Sequence, residues 1–179
     1  MTGDLFLRPR DMIFTDTERE ESHMTKGRLD AESLCARADE LFNERGYSCS
    51  ETVLAVMNEV LADPATGGTP LPEDCLRVAG GFGGGMAAGG ACGALCGGGM
   101  ALSLALCAQP GSMTYEEKES IAAVMRDYHD AFVARNGSAD CREIIAGFEG
   151  HYDPARKAFC THIVRETVAD LARIFNRIA

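Results

Sequence analysis

The stretch GGACGALCGGGMALSLALCA, residues 89–108, decides how the chain folds. It lies within a longer run, residues 78–115, that contains no Asp, Glu, Lys, Arg or His, which raises the question of a membrane span. Eleven of the twenty residues from Gly80 to Gly99 are glycine, however, and each costs a helix roughly 1 kcal/mol relative to alanine. The flanks also lack a basic cluster and an aromatic belt. We therefore expect no membrane span and predict a buried central helix over Ala91 to Ala108, which its glycines allow to pack closely.

The remaining segments carry helix signals rather than strand signals. Capping boxes at Ser48 and Thr114 each precede apolar residues at helical spacing, and Asp153-Pro154 supplies a third helix start. The other predicted helices run from Asp30 to Arg45, begin after Pro72 and begin at a Ser138 cap. Because no segment alternates with the period of a strand, we predict an all-α, single-domain bundle of six or seven helices with a Gly-rich central segment. This domain covers residues 29–179, and residues 1–28 are predicted to be an N-terminal arm.

Composition and charge exclude several classes of protein. The net charge of −10 argues against a nucleic-acid partner, because phosphate binding needs a surplus of Lys and Arg. The N-terminal residues show no signal-peptide pattern, so we expect a cytoplasmic protein without structural disulfides. Eight cysteines in 179 residues then need an explanation other than disulfide bonding.

Three of the cysteines are predicted to lie in the first turn of a helix. These are Cys49 after the Ser48 cap, Cys92 at the start of the central helix, and Cys141 after the Ser138 cap. The free amides and partial positive charge of a helix N-terminus favour a thiolate, so we expect lowered pKa values there. Cys160 lies about two turns into the last helix, whereas three further cysteines are interpreted as small buried or half-buried residues: Cys35, Cys75 and Cys107.

Four segments together resemble one protein family. They are GYSCSETVL, GGFGGGMAAGGACGALCGGGMAL, DCREI and FCTHIVRETVADL, within residues 31–175. In this order they resemble the redox-active proteins named for the signature C_GCAxxG_C_C, a domain also found in split-Soret cytochromes c. The resemblance implies a redox function, an iron–sulfur cluster as in the cytochrome relatives, and functional cysteines at Cys49, Cys92, Cys141 and Cys160. The middle motif departs from the signature and adds Cys96, so either Cys92 or Cys96 could be its functional thiol.

Three functions are open to such a set of thiols. The first is a [2Fe–2S] cluster held by Cys49, Cys92, Cys141 and Cys160, with Cys96 as a further candidate. The second is metal-free thiol–disulfide exchange by the same residues. The third is a zinc site to which His162 could contribute. No haem is expected, because the sequence contains no C-x-x-C-H motif.

The sequence constrains the binding partners of the protein only broadly. A redox role requires an electron-exchange partner protein of unknown identity, and the resemblance to dimeric cytochromes implies a homodimer. The segment GGGMAA, residues 83–88, matches a loose dinucleotide-binding fingerprint. We reject that fingerprint because the segment follows a helix rather than a strand.

Overall fold

The chain forms seven α-helices within residues 29–62, 71–107, 111–150 and 153–178, which are the residues that the computed structural model describes. The helices are α1 Ala31–Asp39, α2 Cys49–Leu61, α3 Glu73–Ala79, α4 Gly93–Leu106, α5 Tyr115–Asn136, α6 Cys141–Ile144 and α7 Pro154–Ile178. A π-helical turn, Glu40–Glu44, continues α1. These ranges contain no strand, and the prediction of an all-α fold is confirmed. The predicted arm, residues 1–28, lies outside the described residues.

Local sequence signals set most helix ends. Ser48 accepts a hydrogen bond from the Glu51 amide, while the Glu51 side chain accepts one from the Ser48 amide, which confirms the first capping box. Thr114 and Glu117 confirm the second in the same way. Gly137 ends α5 in a left-handed conformation, with φ of 81°, where a side chain would be strained.

Two predicted helix starts are wrong. The central helix begins at Gly93 rather than Ala91, so Cys92 is its N-cap residue and does not lie in its first turn. Helix α6 is capped by Asp140 rather than Ser138 and has only four residues, so Cys141 is its first residue instead of its third. Both shifts have the same cause, because Ala91 and Asp140 pair as an isolated antiparallel β-bridge and cannot be helical.

Helix α2 lies at the centre of the bundle and contacts α1, α3, α4 and α7. The core around it is apolar, and α5 adds Tyr128 and Phe132 to it. Helix α4 comes close to its neighbours because it carries glycine at the contacts: a Cβ on Gly97 would lie 2.5 Å from the Ser50 carbonyl oxygen. Within the described ranges, none of the helices combines the length and the apolar character that crossing a membrane requires.

Candidate functional site

Four cysteine side chains line one small cavity between α2, α4, α6 and α7: Cys49, Cys92, Cys141 and Cys160. Its volume is about 20 Å³, which is room for about one water molecule. The rest of the wall is mainly apolar and consists of Gly84, Ala94, Ile144, Ile145, Arg156, Ile163 and Val164. We call this space the thiol cavity.

A β-bridge brings Cys92 and Cys141 together. The amide of Cys92 donates to the Ala139 carbonyl at 2.7 Å, and the amide of Cys141 donates to the Gly90 carbonyl at 2.7 Å. Cys92 directly follows Ala91 and Cys141 directly follows Asp140, so the bridge between Ala91 and Asp140 holds the two cysteines close together. Both side chains are buried, at 6% exposure.

Cys49 reaches the cavity from the first position of α2, where it is partly exposed. Its sulfur rests against the start of α4, because a Cβ added to Gly93 would lie 2.9 Å from Cys49 Sγ. The same Cβ would lie 3.0 Å from the Phe82 carbonyl oxygen. Glycine at position 93 is therefore what lets the first thiol approach the second.

Cys160 enters from α7, one helical turn after Arg156. The Arg156 side chain is buried, at 8% exposure, and lines the cavity. Its positive charge acts to lower the pKa of Cys160 and Cys141, in the direction that favours thiolates. An arginine four residues before a predicted site cysteine is the sequence signal that could have revealed this residue, and it was missed.

Burial dominates the titration of these thiols, contrary to the expectation of lowered pKa values. Burial raises the pKa of Cys92 to about 12, and the nearby Cys49 adds to that shift. The Ala94 and Leu95 amides act in the opposite direction, but burial outweighs them. Burial also raises the pKa of Cys141 and of Cys160. These three thiols are therefore neutral at pH 7 in the protein without a bound metal.

The other predicted residues lie outside the thiol cavity. Cys96 lies one turn along α4 from Cys92 and is half-buried, and His162 is exposed on α7. Cys35 is buried and donates to the Arg165 carbonyl at 3.3 Å, and Cys107 is half-buried. Cys75 is exposed, so its interpretation as a buried residue is wrong.

The donor set suits a group with more than one metal atom. In the parts of the chain that the structure describes, no three His, Cys, Asp or Glu side chains are placed to hold one metal ion. A structural zinc site needs four donors around a single ion. A [2Fe–2S] cluster instead has two irons and divides its four cysteine ligands between them, so the cysteine sulfurs need not surround a single point. The four thiols match the number and kind of terminal ligands that a [2Fe–2S] cluster takes, and the thiol cavity, at about 20 Å³, would have to widen to hold one.

Comparison with known protein families gives a match that spans the cysteines of the thiol cavity. The sequence model of the family described as "Putative redox-active protein (C_GCAxxG_C_C)" matches residues 47–174. The chain belongs to this family. The match includes all four cysteines of the thiol cavity and supports a redox role for the protein. No curated protein and no solved structure matches the chain.

Proposed function

We propose that the protein is an electron-transfer protein that holds a [2Fe–2S] cluster through Cys49, Cys92, Cys141 and Cys160. The observation that carries the proposal is the meeting of four thiols, from four separate segments of the chain, at a single cavity. Thiol–disulfide exchange needs only two thiols, whereas the cluster takes four terminal ligands.

The surroundings of the thiols suit a bound anionic group. The wall of the thiol cavity is mainly apolar, and the Arg156 charge offsets negative charge at the sulfurs. The amides at the start of α2 and α4 add partial positive charge beside Cys49 and Cys92. When bound, the cluster would supply one-electron transfer to a partner protein. All eight cysteines are free thiols, which suits a reducing compartment such as the cytoplasm.

The test is metal and sulfide analysis of the full chain after anaerobic reconstitution with iron and sulfide. We expect a brown protein with about two irons and about two sulfides per chain. Serine at any one of Cys49, Cys92, Cys141 or Cys160 should remove most of the colour. Serine at Cys75, which is exposed, is the matched control and should leave it unchanged. Cys96→Ser should also retain the cluster, because Cys96 does not line the cavity.

A colourless, iron-free product after reconstitution would refute the cluster proposal. Colourless protein that contains one zinc per chain would instead support the structural zinc site.

Metal-free thiol–disulfide exchange is a second candidate, and the partial exposure of Cys49 beside buried thiols favours it. In this reaction Cys49 and one neighbouring thiol would form a disulfide, releasing two electrons and two protons to an oxidised disulfide partner. Thiol titration of iron-free protein should then show a reversible loss of two thiols, which Cys49→Ser abolishes and Cys75→Ser does not.

A further inference from the structure

A second and larger cavity opens beside the thiol cavity and shares part of its wall. Its volume is about 420 Å³, within the range of roughly 300 to 1,000 Å³ that small-molecule sites occupy. Four residues line both spaces: Gly84, Cys141, Ile145 and Arg156. We call the larger space the arginine cleft.

Two arginines line the arginine cleft of this acidic protein, and one of them, Arg156, also lies near Asp153, whose pKa its charge helps to lower. Arg142 and Arg156 line the cleft, and its lining includes no carboxylate, although the whole chain carries a net charge of −10. The two side chains are placed differently: Arg142 is exposed, whereas Arg156 is buried at 8% exposure between the two cavities.

The glycine-rich segment positions the Arg142 side chain. One of its guanidinium nitrogens donates a hydrogen bond to the Ala88 carbonyl at 2.6 Å. This bond uses only one of the five N–H donors that a guanidinium carries. A Cβ on Gly89 would lie 2.8 Å from Arg142 Cβ, so glycine is needed for this close approach. The guanidinium is thereby held beside the cleft and keeps donors for a ligand.

Part of the lining is apolar. Ile145 and Phe148 line the cleft, and the Phe148 ring is backed by Phe159, with ring centroids 5.2 Å apart. The segment GGGMAA, rejected above as a dinucleotide fingerprint, supplies much of the remaining wall. The left-handed residues Met86 and Ala87, with φ of 59° and 57°, are in a conformation that costs non-glycine residues energy and is often found at ligand sites.

We infer that the arginine cleft binds a small organic anion. Its carboxylate or phosphate group pairs with Arg142 and Arg156, and its apolar part lies against Ile145 and Phe148. Arginine pairs with either group through charge-assisted, often bidentate hydrogen bonds. The bound anion would lie against the wall that Cys141 and Arg156 form between the two cavities. This binding does not depend on which redox group the thiols hold.

Titration calorimetry on the full chain tests the inference with three probes of similar size: phenyl phosphate, benzoate and the uncharged benzyl alcohol. We expect saturable binding of at least one anion and none of benzyl alcohol. The preferred anion identifies the head group as phosphate or carboxylate. Iron and sulfide are measured on the same sample. If the protein lacks a cluster and still binds the anion, the proposed function fails while this inference holds.

Three variants locate the binding. Arg142→Gln should weaken it about ten-fold or more, the usual cost of losing a charged hydrogen-bond donor. Ala146→Glu places a negative charge at an exposed position of the cleft and should also weaken it, with Arg142 intact. Arg45→Gln removes the same charge from an exposed site outside the cleft lining and should bind like the unaltered protein.

The inference fails if neither anion binds saturably at millimolar concentration, or if Arg45→Gln weakens binding as much as Arg142→Gln does. It also fails if Arg142→Gln and Ala146→Glu both bind as the unaltered protein does while keeping its melting temperature.

Discussion

Helices α4 and α7 both pack on the central α2, but they use opposite means. Helix α4 meets α2 through glycine: Gly93 faces the Cys49 sulfur and Gly97 faces the Ser50 backbone. Helix α7 meets α1 through side chains, among them Arg165, which pairs with Asp39 of α1. The comparison teaches that the contact beside the thiol cavity depends on the absence of side chains, whereas the α1–α7 contact depends on their presence.

The largest effect on stability at neutral pH is expected from Gly97→Ala. The added methyl group would lie 2.5 Å from the Ser50 carbonyl oxygen and 3.1 Å from Val53 Cβ, and backbone cannot yield as a flexible side chain does. We expect a loss of about 3 kcal/mol in the free energy of unfolding, measured in urea. Gly99→Ala is the matched control on the same helix, because its Cβ meets nothing within 4 Å. That control should gain up to about 1 kcal/mol from helix propensity, and equal stability of the two variants would contradict this account.

A second effect should appear when the metal-free protein is unfolded at alkaline pH. Burial raises the pKa of Cys92 from 9.0 to about 12, so the folded protein keeps this proton where the unfolded chain loses it. The stability that the neutral Cys92 thiol contributes to the folded protein is fully present below about pH 9. It is lost as pH rises towards 12, and the free energy of unfolding then falls by about 1.4 kcal/mol per pH unit. Urea unfolding of Cys92→Ala should show a shallower loss over this range. Cys75→Ala should keep the slope of the unaltered protein, and a Cys92→Ala slope just as steep would show that Cys92 is not the group responsible.

Removing the cap residue of either capping box should have a smaller effect on stability, and only one of the two boxes should affect iron binding. Ser48→Ala and Thr114→Ala should each cost about 1 kcal/mol, because each removes one side-chain hydrogen bond to the start of a helix. Only Ser48 precedes a cysteine of the thiol cavity. We therefore expect Ser48→Ala alone to lower the iron content after reconstitution. An equal decrease in both variants would mean that the iron is lost through general destabilisation.

The smallest effect is expected on the α1–α7 side of the comparison. Arg165→Gln removes an ion pair whose side chains are 41% and 34% exposed, and such pairs contribute less than about 1 kcal/mol. Urea unfolding should detect little change, and iron content should be unaltered. A loss as large as that of Gly97→Ala would show that this ion pair matters as much to stability as the glycine contact between α2 and α4.

The parts of the fold that depend on neighbouring residues could be predicted from the sequence. A capping box joins residues three positions apart, so Ser48 with Glu51 and Thr114 with Glu117 signal two helix starts without knowledge of the rest of the chain. Glycine at 137 similarly marks a helix end. The apolar spacing after each start then predicts which residues enter the core.

The parts of the fold and of the site that depend on distant residues could not be predicted from the sequence. The bridge between Ala91 and Asp140 joins positions far apart in the chain, and it moved the start of the central helix and shortened α6. Burial, which decides the pKa of Cys92, arises only when the helices are packed together. The family resemblance pointed to the four cysteines that line the thiol cavity. The spacing of Arg156 and Cys160 could place the arginine beside that cysteine, but only the packed fold places it beside Cys141 as well.

The position of Cys160 on α7 has a consequence for the biosynthesis of the protein. A ribosome releases the segments that carry Cys49, Cys92 and Cys141 before it releases α7, which carries Cys160 and completes the wall of the thiol cavity. During translation the first three sulfurs are therefore open to oxidants and to stray metal ions. The four thiols can meet only after α7 has been made, so reducing conditions protect the nascent protein until α7 docks.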